Sequence, residues 1–176
     1  MTFKYIFIIL LFSATSLFSQ DENKPNYDTF SFDKEVTLPG TPEIIFDAVT
    51  GDISGWWDHS MSENPKEFFI EPFPGGGFFE IFDDEGNGVL HATVIYADRG
   101  KLLRFDGPLG LSGKAIQIVT TYKFEPVGAD STLFKVSVHA AGEVDEGIPA
   151  IVESVWEHFI FDQLQPYILA GKHLQK

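Results

Sequence analysis

Apolar and polar residues alternate along most of the chain, and near its end the period lengthens. Over residues 29–38, Phe30, Phe32, Val36 and Leu38 share one parity, the pattern of a strand with one buried face. Pro39-Gly40 breaks the run. Thr41 can then cap a helix, Pro42 suits a first turn that needs no N–H, and Glu43 complements the positive end of the helix dipole. Ile44, Ile45, Ala48 and Val49 follow at helical spacing up to Gly51. A second short helix or turn is expected over 53–61, carrying Trp56-Trp57.

An antiparallel meander comes next, with strands expected at 67–71, 77–82, 89–97, 102–106, 115–125 and 131–140. Proline- and glycine-rich breaks separate them, and Asn87-Gly88 is the strongest hairpin signal. Ile116, Ile118, Tyr122 and Phe124 fall on one face of the fifth of these strands. In the sixth, Phe134, Val136 and Val138 alternate with Lys135, Ser137 and His139. The period then changes. Ile148, Ile151, Val152, Val155, Trp156, Phe159, Leu164, Tyr167 and Ile168 approximate a 3.6-residue stripe, which predicts a long amphipathic helix that Pro166 kinks or ends.

This order predicts an α+β fold. A curved antiparallel sheet of about six or seven strands wraps around a long C-terminal helix, with two short helices after the first strand. A sheet with one apolar face must bury it, and the C-terminal helix is the only long cover. A sheet curved around a single helix leaves room for a cavity.

The N-terminus reads separately. Lys4, the apolar run 5–12 and the more polar stretch 13–19 have the layout of a secretory signal peptide, cut after Ser19. Residues 20–28 read as a flexible polar lead-in, and 29–174 as the folded domain. The apolar run is shorter than the roughly 20 residues a membrane span needs, and with no Cys there is no lipid attachment. The expectation is a periplasmic or secreted protein with no stable membrane anchor after cleavage.

Composition narrows the chemistry. Twelve basic residues against 26 acidic ones disfavour nucleic acid as a partner. The absence of Cys excludes disulfides, thiolate catalysis and Cys-based zinc sites. Eighteen Phe suit a thick core or the wall of a greasy cavity. Asp83-x-Glu85-x-Asn87-Gly88 imitates a calcium loop, yet the closing acid is replaced by Val94. Ser31-x-x-Lys34 matches a penicillin-binding motif in letters only, since it lies in a strand. No phosphate loop, dinucleotide fingerprint or G-x-S-x-G is present, so no cofactor is implied. His59, His91, His139, His158 and His173 form no close zinc pair such as H-E-x-x-H, and no metal site is expected.

Several segments together carry a family resemblance. Residues 41–50 followed by Trp56-Trp57 are similar to the opening helix and tryptophan of the helix-grip (START-like, SRPBCC) superfamily. Phe73-Pro74-Gly75-Gly76-Gly77-Phe78-Phe79-Glu80, Gly88-Val89-Leu90 and residues 99–105 resemble its central meander, and residues 156–164 its last helix. The branch most resembled is that of bacterial homologues of the heat-shock-protein ATPase activator's C-terminal domain. The resemblance spans about 29–172 and implies a fold and a pocket without fixing a ligand. An activating role would need a cytoplasmic chaperone, which the export signal contradicts.

The candidate pocket residues are Trp56, Trp57, Phe69, Phe79, His91, Tyr122, Trp156 and Phe159. One tryptophan of the adjacent pair is expected to face the core and the other the pocket mouth. Arg104 would orient a ligand carboxylate if it lay on an inner wall, and would be a solvated charge on the outer face. His91 and His158 are candidates for proton transfer near neutral pH. The leading expectation is a non-catalytic binder of a small hydrophobic or amphipathic ligand. The alternatives are a cyclase, dehydratase or hydrolase using the same pocket, and a protein-interaction module related to chaperone activators.

Overall fold

The computed structural model describes residues 25–175. The predicted signal peptide lies outside them. Eight strands form one antiparallel sheet, ordered β1-β8-β7-β6-β5-β4-β3-β2. They are β1 (Tyr27–Pro39), β2 (Gly51–Asp52), β3 (Glu67–Ile70), β4 (Gly77–Ile81), β5 (Gly88–Asp98), β6 (Leu102–Gly107), β7 (Ile116–Val127) and β8 (Ser131–Glu143). The count exceeds the expected six or seven because Gly51–Asp52 adds a two-residue edge strand beside β3.

Helix α1 (Pro42–Ala48) starts as its sequence dictates. The Ile44 N–H donates to the Thr41 hydroxyl at 3.5 Å, with Pro42 in the first turn. The expected second helix does not form. Asp52 accepts the Ser54 N–H on its own side chain at 2.9 Å, a local bond that competes with helix. The Ile53 N–H is taken by the Phe68 carbonyl of β3. Residues 53–61 are therefore a turn and a loop carrying Trp56-Trp57.

The C-terminal cover is three consecutive segments, α2 (Ile148–Glu157), a π-helical run (His158–Leu164) and α3 (Gln165–Leu169). The wide π turns come directly before Pro166. Proline lacks an N–H and its ring crowds the carbonyl four residues back, so the backbone ahead of it cannot hold regular α geometry. Helices α2 and α3 pack along β1, and α1 packs on β7 and β8. Lys34 of β1 ties α2 down, donating to Glu153 at 2.6 Å and Glu157 at 2.7 Å.

Strand parity sorts the core as expected. Ile116, Ile118, Tyr122 and Phe124 are buried, as are Phe134, Val136 and Val138, while His139 is exposed. Parity fails at two places on β5. Phe78 pairs with Ala92 and Phe79 with Leu90, so His91 is an extra residue with no partner on β4. Val94 pairs with Phe105 and Tyr96 with Arg104, so Ile95 is a second extra residue. The first bulge places both His91 and Ala92 inside, and that re-aiming builds the site.

Candidate functional site

A cavity of about 530 Å³ lies between the sheet and the C-terminal helix. Its walls come from four places: Trp57 to Met61 on the loop after the tryptophan pair, His91 and Ile118 on the sheet, Pro108 to Leu111 on the connection from β6 to β7, and Ile151, Val152, Val155, Trp156 and Phe159 on the helix. Most of this lining is apolar. The size suits a small organic molecule.

Aromatic stacking fixes one wall. Trp57 stacks on Phe159 at 3.8 Å between ring centres and meets Phe78 edge-on at 4.9 Å. Its indole N–H donates to the His59 carbonyl at 3.0 Å, which shapes the loop that closes the cavity. Trp56 turns the other way, donating to the Ala48 carbonyl at 3.3 Å inside the core. The adjacent tryptophans thus divide between core and pocket.

One buried polar pair meets the cavity through His91. His91 Nε2 lies 3.1 Å from Glu80 Oε2. Glu80, on β4, is fully buried and takes further hydrogen bonds from the Ser60 hydroxyl at 2.5 Å and from the Met61 and Ser62 N–H groups at 3.0 and 3.2 Å. Burial pushes its carboxyl pKa up, but the bonds from Ser60, Met61, His91 and Ser62 outweigh this and hold it below the usual carboxylate range. An ionised carboxylate only accepts, so His91 Nε2 carries the hydrogen and donates. In the neutral ring, Nδ1 is then an acceptor. It has no hydrogen bond among the described residues, and it is the ring atom left to a molecule in the cavity. Buried carboxylates orient imidazoles in this way for proton transfer.

The bulge needs room, and Gly107 provides it. A Cβ at Gly107 would stand 2.4 Å from the His91 carbonyl oxygen and 2.5 Å from the Ala92 Cα. The glycine lets β6 pass against the bulged backbone.

Of the sequence candidates, Trp57, His91, Trp156 and Phe159 line the cavity. Six do not. Trp56 and Tyr122 belong to the core. Tyr122 packs edge-on against Phe105, Phe134 and Trp156, and burial raises its hydroxyl pKa well above the ordinary value. Phe69 and Phe79 face each other across β3 and β4 on the outer side, because Phe68, Ile70 and Phe78 take the inner parity. Arg104 lies between buried Leu103 and Phe105, so it too points outward, where its Nε donates to the Thr121 hydroxyl at 2.8 Å. His158 stands at the rim, partly exposed, against Asp58 at 2.8 Å.

Glu80 is the main residue that sequence reasoning missed. A signal was present: Glu80 shares the parity of Phe78 in the otherwise apolar strand Gly77-Phe78-Phe79-Glu80-Ile81. The lining by Leu109, Leu111 and Val152 carried no comparable signal, since apolar residues on loops and helices read equally well as core.

No family model and no curated protein matches this chain. Solved structures do. A protein of unknown function from Staphylococcus aureus superposes with a TM-score of 0.59 at 14% identity, over 83% of this chain and 97% of that one. A protein from Rhizobium leguminosarum gives 0.58 at 14% identity, over 84% and 99%. A norcoclaurine synthase point mutant from Thalictrum flavum, solved in complex with a transition state analogue, gives 0.51 at 16% identity, over 85% and 99%. At these identities the likeness shows the fold, and the fold is helix-grip.

Proposed function

We propose that the cavity receives one small, largely apolar molecule carrying a single polar group, and that the protein is its binder. The observation behind this is a largely apolar chamber that meets a buried polar pair, His91 with Glu80, through one acceptor nitrogen. An apolar body would displace water from Trp57, Trp156 and Phe159, and a hydroxyl or acidic C–H or N–H would meet His91 Nδ1. Native mass spectrometry of the purified protein tests this. A retained molecule that denaturation releases, and that a Val152→Trp variant no longer holds, is the expected result. Retention unchanged in that variant would place the molecule elsewhere and sink the reading.

The same pair favours a second reading, an enzyme of the cyclase, dehydratase or hydrolase kind. His91 would take a proton from the bound molecule, and Glu80 would hold the imidazole in its tautomer and stabilise the cation that forms. Arg104 has no part in it, being on the outer face. Turnover of a retained ligand by the protein, abolished in His91→Gln while binding persists, distinguishes enzyme from carrier.

Kinship with bacterial homologues of chaperone activators rests on residues 41–50 with Trp56-Trp57, 73–80, 88–90, 99–105 and 156–164, and an interaction role would follow from it. We also propose export, on residues 1–19. Sequencing the N-terminus of the protein from its host tests that: Gln20 first supports it, Met1 opposes it.

A further inference from the structure

Three metal-binding side chains meet at the rim of the cavity, outside the Glu80–His91 pair. Asp58 and His59 lie on the loop after Trp57, and His158 opens the π-helical run. One ligand atom from each lies within 4.8 Å of the other two. His158 Nε2 is 3.1 and 2.8 Å from the two Asp58 oxygens. The His59 and His158 rings stack at 5.3 Å with 16° between their planes. The His59 ring nitrogens make no hydrogen bond among the described residues, so His59 keeps a lone pair to offer.

The π geometry supports the cluster from behind. Its i→i+5 bonding brings residues four and five positions on beside His158. Asp162 stands 3.4 Å from His158 Nδ1, while His158 Nε2 meets Asp58 at 2.8 Å and the Gln163 amide nitrogen at 3.3 Å. Gln163 donates to Asp58 Oδ2 at 2.8 Å. An imidazole with one carboxylate near Nδ1 and another on Nε2, stacked beside a second imidazole, has the parts of a metal-ligating histidine and its outer support.

We propose that Asp58, His59 and His158 bind a divalent first-row transition ion, with Zn²⁺ as the reference case. Two imidazoles disfavour Ca²⁺ and Mg²⁺, which take oxygen ligands. Bonds of about 2.0–2.2 Å put two ligand atoms on one tetrahedral ion roughly 3.3 Å apart. The Asp58–His158 contact needs to open by a few tenths of an ångström, and exposed His59 needs to close in. Three protein ligands leave a coordination position open. Asp58 and His59 also line the cavity, so that position adjoins the space a cavity ligand would fill. The site does not depend on whether the cavity is occupied.

Isothermal titration of the chelator-stripped protein with Zn²⁺ alone tests the proposal, with Co²⁺ absorption as the second readout. The expected result is one ion per chain and a visible Co²⁺ band of low-coordinate type. His59→Gln and His158→Gln should each weaken binding by about 100-fold or more and remove the band. Asp162→Asn should weaken it about 10- to 100-fold, the usual effect of losing an outer partner. His139→Gln, on the exposed side of β8, should change nothing. His59 makes no side-chain hydrogen bond among the described residues, so His59→Gln should stay folded, which circular dichroism checks. Several weak Zn²⁺ sites that persist in both histidine variants would mean the acidic surface alone is binding, and would overturn the proposal. So would the absence of any heat or band in the parent protein.

Discussion

His91 is the unpaired residue of a β-bulge, and its Nε2 lies 3.1 Å from the fully buried carboxylate of Glu80 on the neighbouring strand. The bulge turns an imidazole inward that strict alternation would leave outside. Glu80 also gathers the Ser60 hydroxyl and the Met61 and Ser62 N–H groups. One carboxylate therefore fixes both the histidine and the loop that walls the cavity.

Glu80 should make stability depend on pH in acid. Its folded pKa is held below the ordinary glutamate value by the hydrogen bonds it accepts. A depressed carboxyl contributes stability that is fully present above the unfolded pKa and is lost as pH falls through the folded one. Urea unfolding of the parent and of Glu80→Gln should differ by about 2 kcal/mol or more at pH 7, since an imidazole and a loop lose their charged partner. The gap should shrink below about pH 4 as the parent's carboxyl protonates. A gap that stays constant from pH 7 to pH 3 would show that folding leaves the Glu80 carboxyl pKa unshifted.

Gly107→Ala should disturb the bulge. The new methyl would meet backbone atoms of His91 and Ala92 at 2.4 and 2.5 Å, and backbone cannot swing aside as a side chain can. The expected cost is about 1–3 kcal/mol, as for other overpacked sites. Gly110→Ala is the control. Nothing lies within 4 Å of its added Cβ, and it should stay within about 0.5 kcal/mol of the parent. Equal stability of the two variants would mean that the bulge has another way to relax.

Most of the fold was legible because alternation and helical stripes state where an apolar face lies. Seven strands and the terminal helix follow from period and turn signals, and Thr41-Pro42 marks a helix start by its own chemistry. The edge strand Gly51–Asp52 was not legible, since two residues carry no period and their pairing depends on distant β3. Within the site, Trp57, His91, Trp156 and Phe159 were found because aromatic residues and histidine stand out. Phe69 and Phe79 were misplaced for a shared reason: each sits beside residues of the opposite parity in a short strand, and Arg104 was left open between the two faces. Residue type was read there before register. Glu80 was overlooked although its parity matched Phe78, because an acid in a strand suggests solvent.

Tyr122→Phe should cost nothing or stabilise the protein. The Tyr122 side chain is 1% exposed, and its hydroxyl has no hydrogen-bond partner among the described residues. Removing a buried polar group that gains no bond in the fold relieves a desolvation cost, and the ring contacts to Phe105, Phe134 and Trp156 remain. Thermal unfolding should show a midpoint equal to or above the parent's. A loss of more than about 1 kcal/mol would reveal a hydrogen bond worth keeping.

Phe78 and Phe79 are adjacent in sequence and should behave oppositely. Phe78 is fully buried and touches Trp57, His91 and Phe105 by its ring. Phe79 lies on the outer side of the sheet, over Gly77 and opposite Phe69. Phe78→Ala removes a ring from the junction of core and cavity, and about 3–5 kcal/mol of stability should go with it. It should also loosen His91, because that ring packs on Phe78 at 5.1 Å. Phe79→Ala removes a ring that water already reaches, and a cost of about 1 kcal/mol is expected, the centre of the range for ordinary substitutions. Uptake of an apolar fluorescent probe should fall in Phe78→Ala and hold in Phe79→Ala. If Phe79→Ala proves the more damaging in both measurements, the register of β4 is shifted by one residue, and Glu80 would then face solvent instead of His91.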